Sequence, residues 1–398
     1  MSAHARAHPP ERDDAPFVDL ADPTLSLRNP ALAKARAESW YARTPYGIAV
    51  LRHHDMGQLL LHRSLRQGSY AWPAHNGIGG PFAEWWSRSI ISREGADHSR
   101  LRRLVNPAFS PRLLDEMRPR FVSMARALAE RFVPSGRCDF MADFADPYAA
   151  QVLCLMLGLP ESDAPAVLRN AADMGLALGV AWKSHAATVD AATDAMFAFA
   201  DRAIAERRAR PRDDFMTALV KARDGAEGLS EAELRDMVVM LVMAGIDTTR
   251  NQLGLGMQLF LEHPDQWALL ADKPGLASKA VEEVMRVRPT ITWVTREAIE
   301  DFEYRGLSIR TGETLHLLSG VAATETTAEF DISAERPRHF GFGGGVHHCL
   351  GHAVARSDMA VALQVLPPLM RDPRADGPGE WLPDSGNTGP VRLPVAFG

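Results

Sequence analysis

The stretch that organises the chain reads Phe342-Gly343-Gly344-Gly345-Val346-His347-His348-Cys349-Leu350-Gly351. It places one cysteine after a glycine-rich turn and before an apolar segment, Val354 to Leu363, whose pattern predicts a helix. The glycines allow the backbone to turn tightly and to approach a flat ligand without a Cβ clash. Amide groups and the dipole at a helix N-terminus favour an anionic sulfur, so the pattern predicts that Cys349 is a thiolate ligand.

Three interpretations of this cysteine compete. An iron porphyrin bound through sulfur needs a shielded, deprotonated cysteine held in a fixed position. A zinc site that begins with His347, His348 and Cys349 would need a second ligand cluster, yet Cys138 and Cys154 lie far upstream without CxxC spacing. A small buried core cysteine does not require three glycines in front of it. The pattern therefore favours the porphyrin.

The stretch resembles the haem-binding loop of the cytochrome P450 family, whose pattern is Phe, two residues, Gly, three residues, Cys, one residue and Gly. Phe342, Gly345, Cys349 and Gly351 match it in register. The resemblance implies a mainly α-helical P450 fold, with a triangular helical body and small β-sheets, that binds one haem b (iron protoporphyrin IX) with Cys349 as the axial iron ligand. It also implies further haem contacts in the loop, from Phe342, Gly343, His347 and Gly351.

Composition limits the remaining possibilities. The 398 residues are 46% hydrophobic, which is enough for a buried core, and a net charge of −6 gives no electrostatic reason to bind nucleic acid. Three cysteines argue against a disulfide framework and fit the reducing cytoplasm. The first residues lack the apolar run of a signal peptide or membrane anchor. We therefore expect a cytoplasmic protein with a flexible tail over residues 1–20 and a single domain over residues 21–398.

A second motif lies within a predicted long helix. Ser230-Glu231-Ala232-Glu233 has the pattern of a capping box, and the helix can run to residue 262, roughly 48 Å at 1.5 Å per residue. Gly245 lowers helix propensity and leaves space for a bulky group. Asp247 and Thr248 are costly to bury in an apolar helix unless they perform a polar task. The pattern predicts a functional polar site at the middle of this helix.

The stretch Ala244-Gly245-Ile246-Asp247-Thr248-Thr249 resembles the oxygen-activation motif of the P450 family. The resemblance implies that Asp247 and Thr248 are catalytic and deliver protons to bound dioxygen, while Ala244 and Gly245 contact the haem. In the alternative interpretation, the threonine hydroxyls only bond back to the preceding helical turn.

Basic residues are candidates for holding the two haem propionates. His98 and Arg102 are four residues apart on a predicted helix and share one face, although such a face is often merely solvated. The resemblance implies propionate binding by this pair and by Arg296, which lies on a predicted strand over residues 290–296. We expect other arginines to form part of a docking surface for an acidic electron carrier, namely Arg100, Arg103 and Arg112.

An aromatic-rich, loop-like segment precedes this helix and contains Tyr70, Trp72, Phe82, Trp85 and Trp86. The corresponding region of the P450 family roofs the substrate pocket. The resemblance therefore predicts a substrate that is largely apolar and that can be aromatic. The alternative is that these rings pack a local core. Further candidates for the pocket wall are Ile90, Ile91, Ile291 and Thr292.

Glu283 and Arg286 are three residues apart on a short predicted helix, where an ion pair usually contributes little. The resemblance implies that here they form a buried structural ion pair. The family's third, basic partner is expected near residues 329–331, and Glu329 stands there instead.

The resemblance implies a haem-thiolate monooxygenase that uses O2 and two external electrons to hydroxylate or epoxidise a mostly apolar small molecule. No flavin or iron–sulfur domain fits this length, so we expect electrons from a ferredoxin and its NAD(P)H-dependent reductase. Two alternatives are an oxidative coupling enzyme that forms C–C bonds and a non-catalytic haem-thiolate sensor or recruitment module. The pair Asp247 and Thr248 argues against the second alternative and against peroxide-driven catalysis.

Overall fold

Helices dominate the computed structural model, which describes residues 14–109, 111–222 and 228–398. The helices are α1 (Pro30–Glu38), α2 (His53–Leu59), α3 (Trp72–Asn76), α4 (Gly80–Arg88), α5 (Gly95–Val105), α6 (Pro111–Phe132), α7 (Asp146–Leu157), α8 (Ala164–Gly175), α9 (Ala186–Ala209), α10 (Phe215–Lys221), α11 (Glu231–Glu262), α12 (Pro264–Asp272), α13 (Ala277–Val287), α14 (Ser319–Ala323) and α15 (His352–Val365). The strands are β1 (Tyr41–Thr44), β2 (Gly47–Val50), β3 (Leu65–Gln67), β4 (Arg137–Asp139), β5 (Trp293–Ala298), β6 (Phe302–Tyr304), β7 (Leu307–Ile309), β8 (Thr314–Leu318), β9 (Arg374–Ala375), β10 (Glu380–Trp381), β11 (Pro390–Arg392) and β12 (Pro394–Ala396). The predicted mainly α-helical body with small sheets is confirmed.

Helix α11 begins at the predicted capping box. The Glu233 amide donates to the Ser230 hydroxyl at 3.1 Å, and the Ser230 amide donates to the Glu233 carboxylate at 2.9 Å. The helix then continues for 32 residues, about 48 Å, and it packs against α7, α8, α9, α12 and α13.

The two larger hydrophobic cores meet along α11. Its first half, from Leu234 to Ile246, joins a core with α4, α8 and α9, whereas its second half, from Leu253 to Phe260, joins a core with α6, α13 and α15. Between these halves lies a run of buried polar side chains, Asp247, Thr249, Arg250, Asn251 and Gln252. The polar site predicted in the middle of the helix therefore separates two apolar regions.

The largest sheet joins distant parts of the chain in the order β1-β2-β8-β5-β3. Strands β2 and β8 are parallel, and Gly47 lies opposite Thr314. A Cβ on Gly47 would lie 2.1 Å from the Thr314 carbonyl oxygen, and its φ of 134° also favours glycine. The smaller sheets have the orders β4-β12-β9, β10-β11 and β6-β7, and the last is the predicted hairpin.

The N-terminal segment divides into two parts. Residues 1–13 of the predicted tail lie outside the described residues. Ala15, Val18 and Leu20 are buried, and the Val18 amide donates to the Arg43 carbonyl of β1 at 2.8 Å. The end of the predicted tail therefore packs against the sheet, because its apolar side chains cover the edge strand.

None of the helices in the described ranges combines the length and the apolar content that a bilayer crossing demands.

Candidate functional site

A cavity of about 410 Å³ lies where the long helix and the cysteine loop approach each other. Side chains from α5, α7, α11, β5 and α15 line it, together with the loop that carries Cys349. The cavity thus brings together the two sequence motifs, which are about a hundred residues apart in the chain.

The loop conformation depends on its glycines. Gly343 and Gly345 have φ values of 65° and 71°, in the left-handed region that side chains rarely adopt. A Cβ on Gly344 would lie 3.3 Å from the Leu60 side chain. The Cys349 amide donates to the Phe342 carbonyl at 3.0 Å and closes the turn. Helix α15 begins three residues after the cysteine, as the pattern predicted.

The Cys349 sulfur lies in a mixed electrostatic environment. Burial raises the pKa of the Cys349 thiol, whereas the Gly351 amide, which donates to the sulfur, and the charges of Arg102 and Arg356 act in the opposite direction. A cation within the cavity would complete the stabilisation of a thiolate, and a metal bound to the sulfur supplies one. Phe342 is buried beside this site, with the Arg356 guanidinium 4.3 Å from its ring centre.

The zinc interpretation has no geometric support. Over the described ranges, no three His, Cys, Asp or Glu side chains are grouped so that they would hold a metal ion. Burial raises the pKa of both Cys138 and Cys154 to about 12, so these thiols are protonated at neutral pH.

One end of the cavity is basic and is lined by His98, Arg102, Arg296 and His347. Arg296 is 4% exposed, and its guanidinium donates to neutral oxygens, those of Gln67 at 3.1 Å, Thr295 at 3.1 Å and Gly344 at 3.3 Å. Burial lowers its pKa to about 10, while the nearby Glu94 opposes this effect. A buried cation bonded to neutral acceptors fits a site that receives an anionic ligand.

The two histidines of this basic end are in contact, with their rings tilted by 37°. The ring centres of His98 and His347 are 4.1 Å apart, and His347 Nε2 lies 3.1 Å from Glu94 Oε1. Burial, followed by the charges of His347 and Arg102, lowers the pKa of His98 to about 4, so its imidazole is neutral at pH 7 and has one hydrogen-bond donor. The donor set of the cavity, a sulfur ligand with cationic and imidazole groups at one end, fits a haem with two carboxylate side chains.

Ala244, Gly245 and Thr248 of α11 line the same cavity. A Cβ on Gly245 would lie 2.8 Å from Leu153 Cδ1, so a neighbouring helix fills the space that was predicted for a bulky group. The Thr248 hydroxyl donates to the Ala244 carbonyl at 2.6 Å, which is the bond to the preceding turn that the alternative interpretation described. The same hydroxyl oxygen still accepts hydrogen bonds from a cavity ligand.

Asp247 is placed differently from its neighbour, since it is not among the residues that line the cavity. Asp247 is 3% exposed, and its carboxylate accepts from Arg250 Nε at 3.1 Å, from Asn251 at 3.4 Å and from the Asn387 amide. Burial raises the pKa of Asp247, and the charge of Arg250 and these hydrogen bonds limit the rise. The acid therefore lies within a buried polar cluster next to the cavity.

Three of the four predicted pocket residues, Ile90, Ile91 and Ile291, line the cavity, whereas Thr292 does not. The Thr292 hydroxyl donates to the Ser385 carbonyl. Thr292 is buried, and it lies between Ile291 and Trp293, which both line the cavity. The structure therefore bonds the Thr292 hydroxyl into the buried turn that contains Ser385 and does not place it on the cavity wall.

The aromatic-rich segment contributes rings both to the cavity wall and to the core. Trp72 and Trp86 line the cavity, and their indole N–H groups donate to the carbonyls of Ala177 at 2.9 Å and Ser69 at 2.7 Å. Phe82 and Trp85 are instead fully buried in the core. Sequence reasoning missed part of the wall on α11, formed by Met237, Met240 and Leu241. Counting back from Ala244 in steps of three and four would have found these residues.

The buried ion pair has a third partner that the sequence did not suggest. Arg286 Nε lies 2.7 Å from Glu283, and Arg336 Nε lies 3.3 Å from the same carboxylate. Residue 329 contributes to the cluster through its main chain, because the Glu329 carbonyl accepts a hydrogen bond from Arg286 at 2.7 Å. The missing basic residue is therefore supplied seven positions later.

Two arginines of the predicted docking surface are already engaged. Arg100 donates to Gly228 at 3.2 Å and pairs with Glu233, and Arg112 pairs with Glu116 at 3.0 Å. These pairings partly neutralise the charges on which the predicted attraction to an acidic carrier depends.

The fold and the cavity define a helical protein whose cavity fits a cysteine-ligated haem, and comparison with known proteins identifies the family. The family described as cytochrome P450 matches residues 170–271. Luteothin monooxygenase of Streptomyces thioluteus is 36% identical over 408 aligned residues that cover 100% of both chains. Mycinamicin IV hydroxylase/epoxidase of Micromonospora griseorubida is 36% identical over 77% of this chain and 79% of its own.

Among solved structures, that of CalO2 is similar with a TM-score of 0.87 and 28% identity, covering 95% of this chain and 98% of that one. The chain belongs to the cytochrome P450 family and is a P450 monooxygenase.

Proposed function

We propose that the chain binds haem b through Cys349 and inserts one oxygen atom of O2 into a neutral, largely apolar natural product, by hydroxylation or epoxidation. The observation that carries this proposal is a single cavity lined both by the cysteine loop and by Thr248, with apolar side chains over most of the remaining wall. Oxygenation of such a substrate is in keeping with the printed names of the two relatives, a monooxygenase and a hydroxylase/epoxidase.

The chemistry of the wall supports a neutral substrate. Beyond the basic end and Cys349, the wall as described contains one ionisable side chain, Asp358, and burial raises the pKa of this acid well above its ordinary value. The indole rings of Trp72 and Trp86 present carbon surface, because their N–H groups are bonded to the main chain. A flat, conjugated and uncharged molecule makes the most favourable contacts with such a wall.

The residues of this chain would divide the work as follows. Cys349 would hold the haem iron, and His98, Arg102, Arg296 and His347 would hold the propionates. When bound, the haem supplies O2 binding and its reductive activation. Thr248 would present a hydroxyl to the cavity, and Asp247 would act as the proton source behind it. The apolar wall would exclude water and orient the substrate.

Electrons would come from separate proteins, a ferredoxin and its NAD(P)H-dependent reductase. This part of the proposal is supported by the described ranges, in which no three His, Cys, Asp or Glu side chains are grouped so that they could hold an electron-transfer cluster.

A spectroscopic test addresses the cofactor. The reduced carbonyl adduct of the purified protein is expected to show the red-shifted absorption of a thiolate-ligated haem, and Cys349→Ser is expected to lose it. An adduct without the red shift, or wild-type protein that binds no haem, would overturn the proposed cofactor site.

A turnover test addresses the reaction. Neutral polycyclic or polyene compounds are screened for a shift of the iron from low to high spin, with carboxylate analogues of the same shape as controls. Compounds that shift the spin state are then incubated with NADPH and a surrogate ferredoxin and reductase under isotopically labelled O2. The proposal expects one labelled oxygen atom in the product. Coupled products without the label would support the oxidative coupling alternative instead.

A further inference from the structure

The environment of Asp247 includes a residue from the other end of the chain. Asn387 lies in the turn before β11 and is 5% exposed, and its side-chain amide donates to Asp247 Oδ2. The other carboxylate oxygen accepts from Arg250 and Asn251 of α11. Both oxygens of the acid are therefore engaged by groups outside the cavity.

The orientation of Asn387 is determined on both sides. A carboxylate only accepts hydrogen bonds, so the amide nitrogen must face Asp247. The amide oxygen lies 2.9 Å from the Thr290 hydroxyl, which shares its one proton between this oxygen and the Thr388 carbonyl at 2.7 Å. The turn is also fixed to the same segment through its backbone, because the Thr388 amide donates to the Thr290 carbonyl at 3.0 Å and Ile291 forms a β-bridge with Asn387.

This arrangement reaches the substrate pocket. Thr290 and Ile291 both line the cavity, and so does Gly386 of the same turn. A continuous hydrogen-bonded path therefore runs from the cavity wall at Thr290, through Asn387, to Asp247. Asp247 itself does not line the cavity, but its partner Asn387 is bonded to Thr290, which does line it.

We propose that Asn387 is a positioning residue that holds the Asp247 carboxylate ionised and turned away from the cavity, and that its bond to Thr290 ties this resting state to the substrate pocket wall. The proposal rests on the proposed function, in which Asp247 is the proton source. An amide that donates to the charged form stabilises it, and a charge-assisted bond must break before the acid can turn toward Thr248. Movement of the wall when substrate binds weakens this bond, so that proton delivery follows substrate binding.

The first test measures the protonation of Asp247 without turnover. Asn387→Leu removes the donor while keeping the approximate volume of the side chain. In the substrate-free ferric protein, the infrared band of a protonated carboxylic acid is expected at a pH where the wild type shows a carboxylate, and Asp247→Asn in the same background should abolish it. The charged groups around the acid, Arg250 and, through it, Asp146 of α7, are unchanged, and α8 contributes the glycine backbone at Gly175.

A second variant keeps the test decisive if Asn387→Leu does not fold. Asn387→Asp retains the oxygen that accepts from Thr290 and replaces the donor with a second carboxylate facing Asp247, and two such groups share a proton. The same protonated-acid band is expected. An infrared spectrum identical to that of the wild type in the folded variant would overturn the proposal.

The functional consequence is that proton delivery by Asp247 no longer depends on substrate binding. Without the amide, Asp247 takes up and releases a proton whether or not substrate is bound, so peroxide release in the absence of substrate is expected to rise about tenfold. Thr290→Val removes the hydroxyl that bonds both Asn387 and the Thr388 carbonyl while leaving the amide on Asp247, and it should weaken the dependence of peroxide release on substrate. Peroxide release that still responds to substrate as in the wild type, in both Asn387→Leu and Thr290→Val, would refute the coupling.

The matched control lies in the same turn. Ser385 donates to the Asn387 carbonyl at 2.9 Å but has no bond to Asp247, so Ser385→Ala perturbs the turn and should leave the infrared spectrum and the peroxide yield unchanged. Equal effects in Ser385→Ala and Asn387→Leu would show a merely structural role.

Thr248→Ala separates the two proposals. If Thr248→Ala releases peroxide and Asn387→Leu behaves as the wild type, only the positioning role of Asn387 fails. Intact coupling in Thr248→Ala would instead remove the proposed proton route itself.

Discussion

Arg296 is a buried cation whose described hydrogen bonds all go to neutral oxygens. We predict that Arg296→Leu loses bound haem faster, by about tenfold or more, because a hydrogen bond to a charged group contributes about 1.5–3 kcal/mol. The rate of haem transfer to an excess of apomyoglobin measures this loss. Arg296→Lys, which keeps the charge but not the planar fork, should be intermediate.

The exposed Arg126 of α6 provides the comparison for that experiment. Arg126→Leu removes an equal charge at a distance from the cavity and should release haem at the wild-type rate. Matching rates for Arg296→Leu and Arg126→Leu would contradict a propionate-binding role for Arg296.

At the scale of single residues, sequence patterns identified the residues whose relative positions are set by a short local motif. The loop around Cys349 and the pair Glu283 and Arg286 belong to this group, because a motif fixes their relative positions. The patterns did not reveal the direction of Asp247, whose partner Asn387 is 140 residues away in the chain. Nor did they reveal that Arg336 completes the buried ion pair. Such partners are decided by tertiary packing, which one sequence does not display.

Two glycines of α11 provide a prediction at the scale of elements. A Cβ on Gly254 would lie 2.4 Å from Pro390 Cγ and 2.6 Å from Met141 Sδ, whereas a Cβ on Gly256 would lie 3.3 Å from Val284 Cγ1. Alanine is favoured over glycine within a helix by about 1 kcal/mol. We predict that Gly254→Ala lowers the free energy of unfolding by about 1–3 kcal/mol, because the proline ring cannot move away, while Gly256→Ala is neutral or stabilising.

Denaturant unfolding of the two variants under identical conditions measures this difference. Equal free energies of unfolding for Gly254→Ala and Gly256→Ala would show that α11 and the C-terminal strands are not packed as closely as described.

The helices and strands that could be predicted are those whose ends are marked by a short sequence pattern. The capping box located the start of α11, and alternation with turn residues located the hairpin of β6 and β7. The pairing of β2 with β8 was not predictable, because the hydrogen bonds of a parallel pair leave no local pattern in either strand. The wall contributed by Met237 and Met240 was accessible to helical periodicity once Ala244 and Thr248 were taken as reference positions.

At the scale of the whole molecule, one acid connects three separate parts of the chain beneath the cysteine loop. Glu282 of α13 lies 3.0 Å from His339 Nε2 and 2.6 Å from Arg356 Nε of α15. Burial alone would raise the pKa of Glu282, but the hydrogen bonds from His339 and Arg356 outweigh it and lower the pKa to about 2.

Because the folded pKa lies below the ordinary value of 4.5, this acid stabilises the protein above pH 4.5 and loses its contribution as the pH falls toward 2. Glu282→Gln should therefore be less stable than the wild type near neutral pH, and the difference should shrink between pH 4.5 and pH 2. We expect a difference of about 1 kcal/mol, reduced from the full linkage value because the side chain is partly solvated. Free energies of unfolding across this pH range test the prediction, and a constant difference would contradict it.

The pairing of β2 with β8 also has a consequence for biogenesis. Thr314 follows its partner Gly47 by about 270 residues, so a ribosome working at about 5–20 residues per second needs roughly 15–50 s to supply it. During that interval β2 can pair only with β1, and the backbone groups on its other edge remain unpaired. Nascent chains of this protein should therefore depend on chaperones that shield an open strand edge until the last quarter of the polypeptide emerges.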